Sequence, residues 1–336
     1  MRVRTLLLAL FCLISGASAG AQEKIKDGFY NEYDAKGVLV RTVEYQLGVP
    51  HGRFRAYYPD GLLKATGRYV NGQLDGELEE YRKDGKPLTR AVYRQDRLHG
   101  VRTSYYPDGA IRSEDTFIEG ARDGVSQEYN ELGQRVWERS FRHAQEDGVS
   151  KQYYPGARVY RAYDYKNGVQ HGYIREYAED GTLKGVYQAE NCSREGSGKE
   201  YFVTGELKLD GFFENDQLNG LVRIYYRNGR LHVRANYTSG HINDPAWREY
   251  YETGELHWVV PVFNDSKEGL GREYFEDGTV KSEGLFVRDK REGVFRIFDQ
   301  EGRLVAEDKY AADRLQRHTE FYPSGKMRTD KYFYDE

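Results

Sequence analysis

The chain has 336 residues, enough for two ordinary domains or for one long repeat array. It contains 30 Tyr and 37 Gly but only 2 Met and 8 Pro, a composition that favours strands and tight turns over helices. The net charge of −4, with both signs mixed along the chain, excludes the basic footprint of a nucleic-acid-binding protein.

The first 19 residues are predicted to be a secretory signal peptide. Arg2 and Arg4 precede an apolar run at residues 6–14, and small residues at 17–19 form a cleavage site. The run is too short to cross a membrane, and no later run is long enough. The sequence therefore predicts an exported bacterial protein, periplasmic or extracellular, without a transmembrane segment. Residues 20–27 are a short N-terminal lead.

A repeat of 24 residues occupies the rest of the chain. We number it from the glycine at position 0, with Gly52 as the reference. The position-0 glycines are Gly28, Gly52, Gly76, Gly100, Gly124, Gly148, Gly172, Gly196, Gly220, Gly269 and Gly293. Pro245 replaces this glycine once, after one extra residue. A second glycine marks position 9 in nearly every repeat, and an aromatic residue marks position 5, as in Tyr57. About twelve and a half repeats leave no sequence for a separate globular domain.

Each repeat is predicted to be a β-hairpin. The sequence Pro59-Asp60-Gly61 suits a three-residue loop with a bulge, which places position 5 opposite position 11, so that Tyr57 faces Leu63. With this loop we expect the odd positions to form one packed face. That face would carry Tyr at 5, an aliphatic residue at 11, an aromatic residue at 17, and small residues at 13 or 15 that make room for rings.

The predicted fold is all-β: an elongated array of about 12–13 antiparallel β-hairpin repeats of 24 residues, forming one twisted open sheet or solenoid. A single domain of this kind would cover residues 28–336. Two segments depart from the repeat, residues 188–198 around Cys192 and residues 238–247, and we expect irregular connections there. Cys192 is the one cysteine after the predicted signal, so no internal disulfide can form, and we expect its thiol to be accessible.

The motif G-x-x-x-x-Y-Y-x-[DN]-G-x-L-x5-Y-x-x-G-x-x-[HD]-G is clearest at residues 52–76, GRFRAYYPDGLLKATGRYVNGQLDG. It resembles the MORN-repeat-variant family, a bacterial group often labelled YwqK-type antitoxins. The likeness covers residues 27–334. It implies a non-enzymatic protein that binds and neutralises a toxin, and the eukaryotic namesake implies membrane association by a more distant analogy.

The sequence predicts no active site, cofactor or metal. His51, His99 and His171 share position 23, but they belong to repeats at least two units apart, ~19 Å, too far to hold one ion. Turn residues are the better interpretation. The chain has no nucleophile elbow, phosphate loop or cysteine pair.

Two sets of side chains are candidates for binding. Basic residues occupy position 3 in seven successive repeats: Lys151, Arg175, Lys199, Arg223, Arg248, Arg272 and Arg296. They form either a cationic track or, the favoured interpretation, stems that cover packed rings. The even positions should face solvent, yet they carry an apolar set that we predict to bind a partner: Phe202, Val222, Ile224, Tyr226, Trp247, Tyr251 and Phe275. The alternative is cross-strand pairing that only stiffens the array.

The predicted function is an exported repeat scaffold that binds a protein partner through one face of its hairpins, with neutralisation of a toxin as one specific form. The alternative is a cell-envelope protein that binds glycan or lipid headgroups by ring stacking. No nucleic-acid partner is expected, and the sequence leaves the oligomeric state open.

Overall fold

A computed structural model describes residues 27–333 of the chain. The predicted signal peptide at residues 1–19 and most of the lead at residues 20–27 lie outside the described residues. The chain divides into two compact units, which are described separately. The first contains the described residues up to Gly109 and Ile118–Gly120; the second contains Ala110–Phe117 and the residues from Ala121 onward. The single-domain organisation of residues 28–336 stays a prediction.

Every helix or strand within residues 27–333 is a β-strand. The strands of the first unit are β1 (Gly28–Tyr33), β2 (Leu39–Gln46), β3 (Val49–Tyr57), β4 (Leu63–Val70), β5 (Gln73–Leu74), β6 (Gly76–Tyr81), β7 (Pro87–Arg94) and β8 (Arg97–Tyr105). The second unit contains, apart from the last residue of β9, the strands β9 (Ile111–Ile118), β10 (Ala121–Tyr129), β11 (Arg135–Arg142), β12 (Gln145–Glu146), β13 (Gly148–Tyr153), β14 (Val159–Lys166), β15 (Val169–Tyr177), β16 (Leu183–Glu190), β17 (Ser193–Tyr201), β18 (Leu207–Glu214), β19 (Gln217–Leu218), β20 (Gly220–Tyr225), β21 (Leu231–Thr238), β22 (His241–Ile242), β23 (Asp244–Tyr250), β24 (Leu256–Phe263), β25 (Ser266–Lys267), β26 (Gly269–Tyr274), β27 (Val280–Val287), β28 (Lys290–Phe298), β29 (Leu304–Ala311), β30 (Arg314–Phe321) and β31 (Met327–Tyr332). The predicted fold class, an all-β array of antiparallel hairpins in an open sheet, is confirmed.

The loop inside each hairpin has the predicted geometry. Gly61 donates its N–H to the carbonyl oxygen of Tyr58 at 2.8 Å, and Tyr58 donates its own N–H to the carbonyl oxygen of Leu62 at 2.8 Å. Gly61 has φ +82°, a left-handed conformation that favours glycine. Tyr57 pairs with Leu63, as predicted for a three-residue loop.

A bulge next to this loop corrects the predicted faces of the sheet. Tyr57 pairs with Leu63, but the next pair is Ala56 with Ala65, so Lys64 has no partner across the ladder. Because side chains alternate between faces, this shift puts positions 0, 2 and 4 of the first strand on the same face as positions 13, 15 and 17 of the second. The expectation that the odd positions share one face is therefore wrong for the first strand. We call this the packed face and the opposite one the open face.

The core lies on the packed face in both units. One cluster of buried residues in the first unit contains Val43, Phe54, Ala65 and Leu78. A cluster in the second unit contains Val260, Val262, Phe286, Phe295 and Tyr310. Small residues make room for the rings, as predicted: a Cβ atom on Gly67 would lie 2.6 Å from Cε1 of Phe54. The opposite face carries exposed side chains such as Leu270, Leu285 and Val294.

Two-residue turns join successive hairpins. Asn71 and Gly72 have φ +50° and +82°, and Asn191 and Cys192 have φ +51° and +68°, the pattern of a type I′ turn. The segment around Cys192 is therefore a regular turn between β16 and β17, and its expected irregularity is wrong. Cys192 itself is a free, exposed thiol, as expected.

A side chain at position 23 supports the turn that lies one repeat further along the chain. Asp123 Oδ2 accepts the backbone N–H of His143 at 3.0 Å, and His51 Nδ1 accepts that of Asn71 at 3.3 Å. The same bond recurs in other repeats, in the pairs Asp75–Gln95, Asp147–Asn167, Glu195–Asn215, Glu268–Arg288 and Glu292–Ala312. The interpretation of His51 as a turn residue is therefore supported by its contact.

The one-residue insertion at residues 238–247 is built into strand β23 rather than into an irregular loop. Asp244 is buried, and its carboxylate accepts the backbone N–H groups of Asn236 at 2.8 Å and Ala246 at 2.9 Å. The strand pairing shifts at this point, between Asp244 and Trp247. The carboxylate thus satisfies the backbone groups that the extra residue releases from the ladder.

Candidate partner-binding face

The structure does not bring the seven predicted binding residues to one exposed surface. Val222 is only 1% exposed, and Trp247 packs against the cluster that contains Val260 and Phe286. Both residues occupy position 2, which the bulge turns to the packed face. Ile224 is half-buried at position 4, where it pairs with Val233. The expectation that these three side chains face solvent is wrong.

The four aromatic residues at position 6, Phe202, Tyr226, Tyr251 and Phe275, are half-buried at the hairpin loops. The Tyr226 hydroxyl donates to the carbonyl oxygen of Tyr250 at 2.8 Å, and that of Tyr251 donates to Tyr274 at 2.7 Å. Tyr58 and Tyr154 make the same bond elsewhere. These rings link one repeat to the next, and their role in partner binding stays a prediction.

Histidine and glutamate side chains link the rings of Tyr226 and Tyr251 on successive hairpins. The ring of Tyr226 lies 4.2 Å from that of His232, and His232 Nε2 lies 3.3 Å from Glu249 Oε1. The other Glu249 oxygen lies 3.9 Å from His257 Nδ1, and His257 Nε2 lies 3.5 Å from Glu273. These contacts run across three hairpins and fix the positions of the Tyr226 and Tyr251 rings. The two rings are therefore half-buried and not fully exposed to solvent.

The open face carries three parallel rows of side chains, because register pairs position 1 with 16, position 3 with 14, and position 5 with 11. Strands β26 and β27 show all three pairs: Leu270–Leu285, Arg272–Glu283 and Tyr274–Val280. We call them the apolar row, the charged row and the ring row. Tyr129 illustrates the orientation of the ring row, since its hydroxyl donates to Gln127 Oε1, two residues earlier, at 2.6 Å.

The apolar row has exposed side chains on neighbouring strands near the C-terminal end of the second unit. Leu270, Leu285 and Val294 are 51%, 43% and 46% exposed, and Leu270 pairs directly with Leu285. Pro261 extends the row, since its Cγ would lie 3.1 Å from a Cβ atom on Gly269. These four side chains form a contiguous apolar patch, the kind of surface that marks contact sites in soluble proteins.

In four other repeats of the unit a polar side chain at position 16, on Thr116, Ser140, Asp164 or Gln188, binds the backbone of the next repeat. Ser140 Oγ donates to the carbonyl oxygen of Val149 at 3.1 Å, and Asp164 Oδ2 accepts the N–H of Tyr173 at 3.0 Å. Pro261 and Leu285 cannot make such a bond. The apolar patch therefore replaces a stabilising contact by exposed hydrophobic surface.

The charged row consists mainly of ion pairs between cations at position 3 and acids at position 14. Lys151 Nζ lies 2.9 Å from Glu138 Oε1, and this hydrogen bond raises the pKa of Lys151. Arg272 Nε lies 3.0 Å from Glu283 Oε2, and the bond likewise raises the pKa of Arg272. Position 3 shares its face with the tyrosines of the ring row, as predicted, but not with the packed rings at position 17.

One residue of the charged row, Arg234, was not predicted from the sequence. Arg234 occupies position 14, where most repeats of this unit carry an acid or an uncharged residue, and it pairs with Arg223 on one side and Arg248 on the other. In the sequence, position 3 alone marks the charged row, and the partnership of positions 3 and 14 depends on the bulge. A basic residue at position 14 between two basic residues at position 3 is the signal that could have found it.

Within residues 27–333, no helix is long and apolar enough to cross a lipid bilayer. In the same range, no group of three or more His, Cys, Asp or Glu side chains has the geometry of a metal site.

Comparisons with known structures place the chain beside parts of much larger toxin complexes. A TcdB2-TccC3 structure is 14% identical, with a TM-score of 0.16, over 90% of this chain and 18% of the other. A Tc holotoxin pore of Photorhabdus luminescens is 12% identical, with a TM-score of 0.14 and the same coverage. The chain thus spans about 18% of the length of these proteins. No curated protein sequence matches it.

The comparison with sequence families is more specific. Residues 98–119, 218–239 and 267–288 match the family described as MORN repeat variant. Each match begins at position 22 and ends at position 19 of the next repeat, so that it spans one hairpin between two type I′ turns. The hairpin array therefore contains MORN-variant repeats at these three places.

Proposed function

We propose that the protein is an exported, non-enzymatic repeat scaffold that binds a protein partner with its open face. The observation that carries this proposal is the apolar patch of Pro261, Leu270, Leu285 and Val294. In four other repeats of the unit, position 16 makes a polar contact with the next repeat, whereas Pro261 and Leu285 make none and apolar side chains face solvent beside them. Burial of this patch in a partner would recover the hydrophobic free energy that the isolated chain forgoes.

The open face also has the form of a recognition surface. Its three rows repeat every two strands, ~9–10 Å apart, on a backbone held by continuous hydrogen bonding. Such a rigid surface loses little conformational entropy on binding, which favours affinity. Neutralisation of an exported toxin is the specific form that we propose first, since covering a toxin surface requires no chemistry. The bacterial antitoxin label attached to proteins with similar repeats supports this form.

The test replaces two side chains of the apolar patch. Leu270→Ser with Leu285→Ser should weaken binding of a purified partner by about thirtyfold, because loss of central interface contacts costs ~2 kcal/mol or more. The partner is first captured from envelope extract at fixed stoichiometry, identified, and purified for titration calorimetry. The matched control is Val149→Ser, which changes an apolar side chain of similar exposure, 40%, at the same position 1.

The alternative from the sequence, an envelope protein that binds glycan or lipid headgroups, predicts another result. The wild-type protein would then be retained by isolated cell wall or by lipid vesicles, and no protein would co-purify at fixed stoichiometry. Equal partner affinity of the double variant and the wild type would show that the apolar patch is not the contact surface.

A further inference from the structure

The charged row of the second unit contains a run of cations on neighbouring strands. Register continues directly from Lys199 on β17 through the paired residues of the next strands to Arg272 on β26: Lys199, Asp210, Arg223, Arg234, Arg248, Val259 and Arg272. Five of these seven residues are basic and one is acidic. The whole chain, in contrast, has a net charge of −4.

Three of these residues, Arg223, Arg234 and Arg248, form what we call the arginine cluster. They face one another across strands β20, β21 and β23, about 4.8 Å between strands. Like charges directly opposite each other destabilise a sheet. The one acid near the cluster is Asp210, whose Oδ2 lies 3.8 Å from Arg223 Nη1. In the part of the chain that the structure describes, no carboxylate oxygen lies within 4 Å of Arg234 or Arg248.

Two repeats further along the chain, the same positions of the charged row contain an acid that pairs with the arginines on both neighbouring strands. Glu283, the counterpart of Arg234, lies between Arg272 and Arg296, at 3.0 Å from the first and 3.5 Å from the second. One acid thus serves two arginines. In the arginine cluster this acid is replaced by a third arginine, so the cluster carries a local positive charge that only Asp210 partly compensates.

We propose that the arginine cluster binds an acidic segment of the partner protein, whose carboxylates take the place of the missing acid. This inference rests on the proposed function. Guanidinium groups form bidentate bonds with carboxylates, and three half-exposed groups on adjacent strands can hold more than one. Leu221 lies two residues from Arg223 along β20, ~7 Å, and would contact an apolar side chain of the same segment.

The composition of the row favours a polypeptide over a uniform polyanion. Asp210 and Val259 interrupt the cations on either side of the cluster. A continuous phosphate backbone would meet the Asp210 carboxylate and would make no use of the apolar row. A polypeptide that mixes acidic and apolar side chains matches both rows.

The decisive variant is Arg234→Glu, since it introduces the acid that Glu283 supplies at the same position two repeats further along. We expect it to raise the thermal midpoint, because like-charge pairs become ion pairs, and to weaken binding of an acidic peptide at least tenfold. The probe is a fluorescent twelve-residue peptide of repeated Glu-Glu-Leu, followed by anisotropy at 50 and 300 mM salt. A Gln-Gln-Leu peptide of equal length should not bind. Lys290→Glu makes the same charge change on an exposed residue of the unit and should leave binding within twofold of the wild type.

Three results would overturn the inference. The wild-type protein would fail to bind the acidic peptide, or Arg234→Glu would bind it equally well, or heparin and anionic vesicles would bind as tightly as the peptide and lose affinity in the same variant. The proposed function is judged separately. If the purified partner still binds Arg234→Glu but not Leu270→Ser with Leu285→Ser, the scaffold function holds and the acidic-segment inference fails.

Discussion

Serine occupies position 2 in two repeats of the second unit, whereas Val222 and Phe295 occupy the same position in two others. Ser126 and Ser150 are buried on the packed face, and neither hydroxyl has a hydrogen-bonding partner among the described residues. A buried hydroxyl without a partner costs ~1–3 kcal/mol. These two positions therefore weaken the core where apolar side chains strengthen it elsewhere.

Ser150→Ala should consequently leave the stability of the protein unchanged or raise it by up to ~1 kcal/mol, since it removes a polar group that has no bond to lose. Ser140→Ala is the matched control. The Ser140 hydroxyl donates to the carbonyl oxygen of Val149, and its removal should cost ~1 kcal/mol. Urea unfolding of both variants, followed by circular dichroism, measures the difference. A loss of stability in Ser150→Ala equal to that in Ser140→Ala would contradict the account.

Within a hairpin, the type of loop could be predicted from the sequence. The face of the sheet on which each side chain of the first strand lies could not. Pro59-Asp60-Gly61 dictates its own loop, because glycine alone adopts the left-handed conformation there without strain. No residue type in the sequence indicates the adjoining bulge at Lys64. The bulge places the side chains of the first strand on the opposite faces from those predicted. The pattern that could have predicted the bulge is the alternation along the first strand of each hairpin. Position 2 is apolar at Phe54 and Val222, and at least one neighbour of each is charged.

The error propagated to the candidate site. Val222 and Trp247 were predicted to face solvent because alternation was continued from one strand to the other without the bulge. Val222 is buried, and Trp247 packs against the core. The half-buried state of Tyr226 and Tyr251 could not be predicted, because their hydroxyls bind carbonyl groups 24 and 23 residues later in the chain. Local sequence contains no record of a contact with the next repeat.

The turns between hairpins provide a prediction at the same scale. His143 and Ala144 adopt φ +48° and +66°, a conformation that costs side-chain-bearing residues ~1 kcal/mol or more. Ala144→Gly should therefore stabilise the protein by ~0.5–1 kcal/mol. Gly168→Ala is the reverse change at φ +81°, where the new Cβ atom meets no atom closer than 3.7 Å, and it should destabilise by a similar amount. Differential scanning calorimetry of the pair checks both signs, and equal shifts in one direction would refute the conformational explanation.

For the second unit as a whole, strand contacts run between neighbours in the chain, the pattern of a repeat array. Truncation after Asp289 removes β28–β31 and should leave a folded β-protein whose denaturant slope is smaller by roughly a seventh. The midpoint should fall only slightly, since Phe286 loses one side of its cluster and the repeats before it lose nothing. Sedimentation and urea titration compare the two lengths. Complete unfolding of the truncated protein would mean that its repeats do not stabilise one another locally.

The position-23 bonds have a consequence for how such a chain can evolve. Each joins an acceptor in one repeat to a backbone N–H 20 residues later, in the next repeat. A deletion or duplication of 24 residues therefore preserves the 20-residue spacing between acceptor and N–H in the repeats that carry this bond. Even the single inserted residue is accommodated, because Asn243 keeps the bond to Asn264 across a span of 21 residues. Genetic recombination can thus add or remove whole hairpins while keeping this contact between repeats, and the area offered to a partner can grow or shrink one repeat at a time.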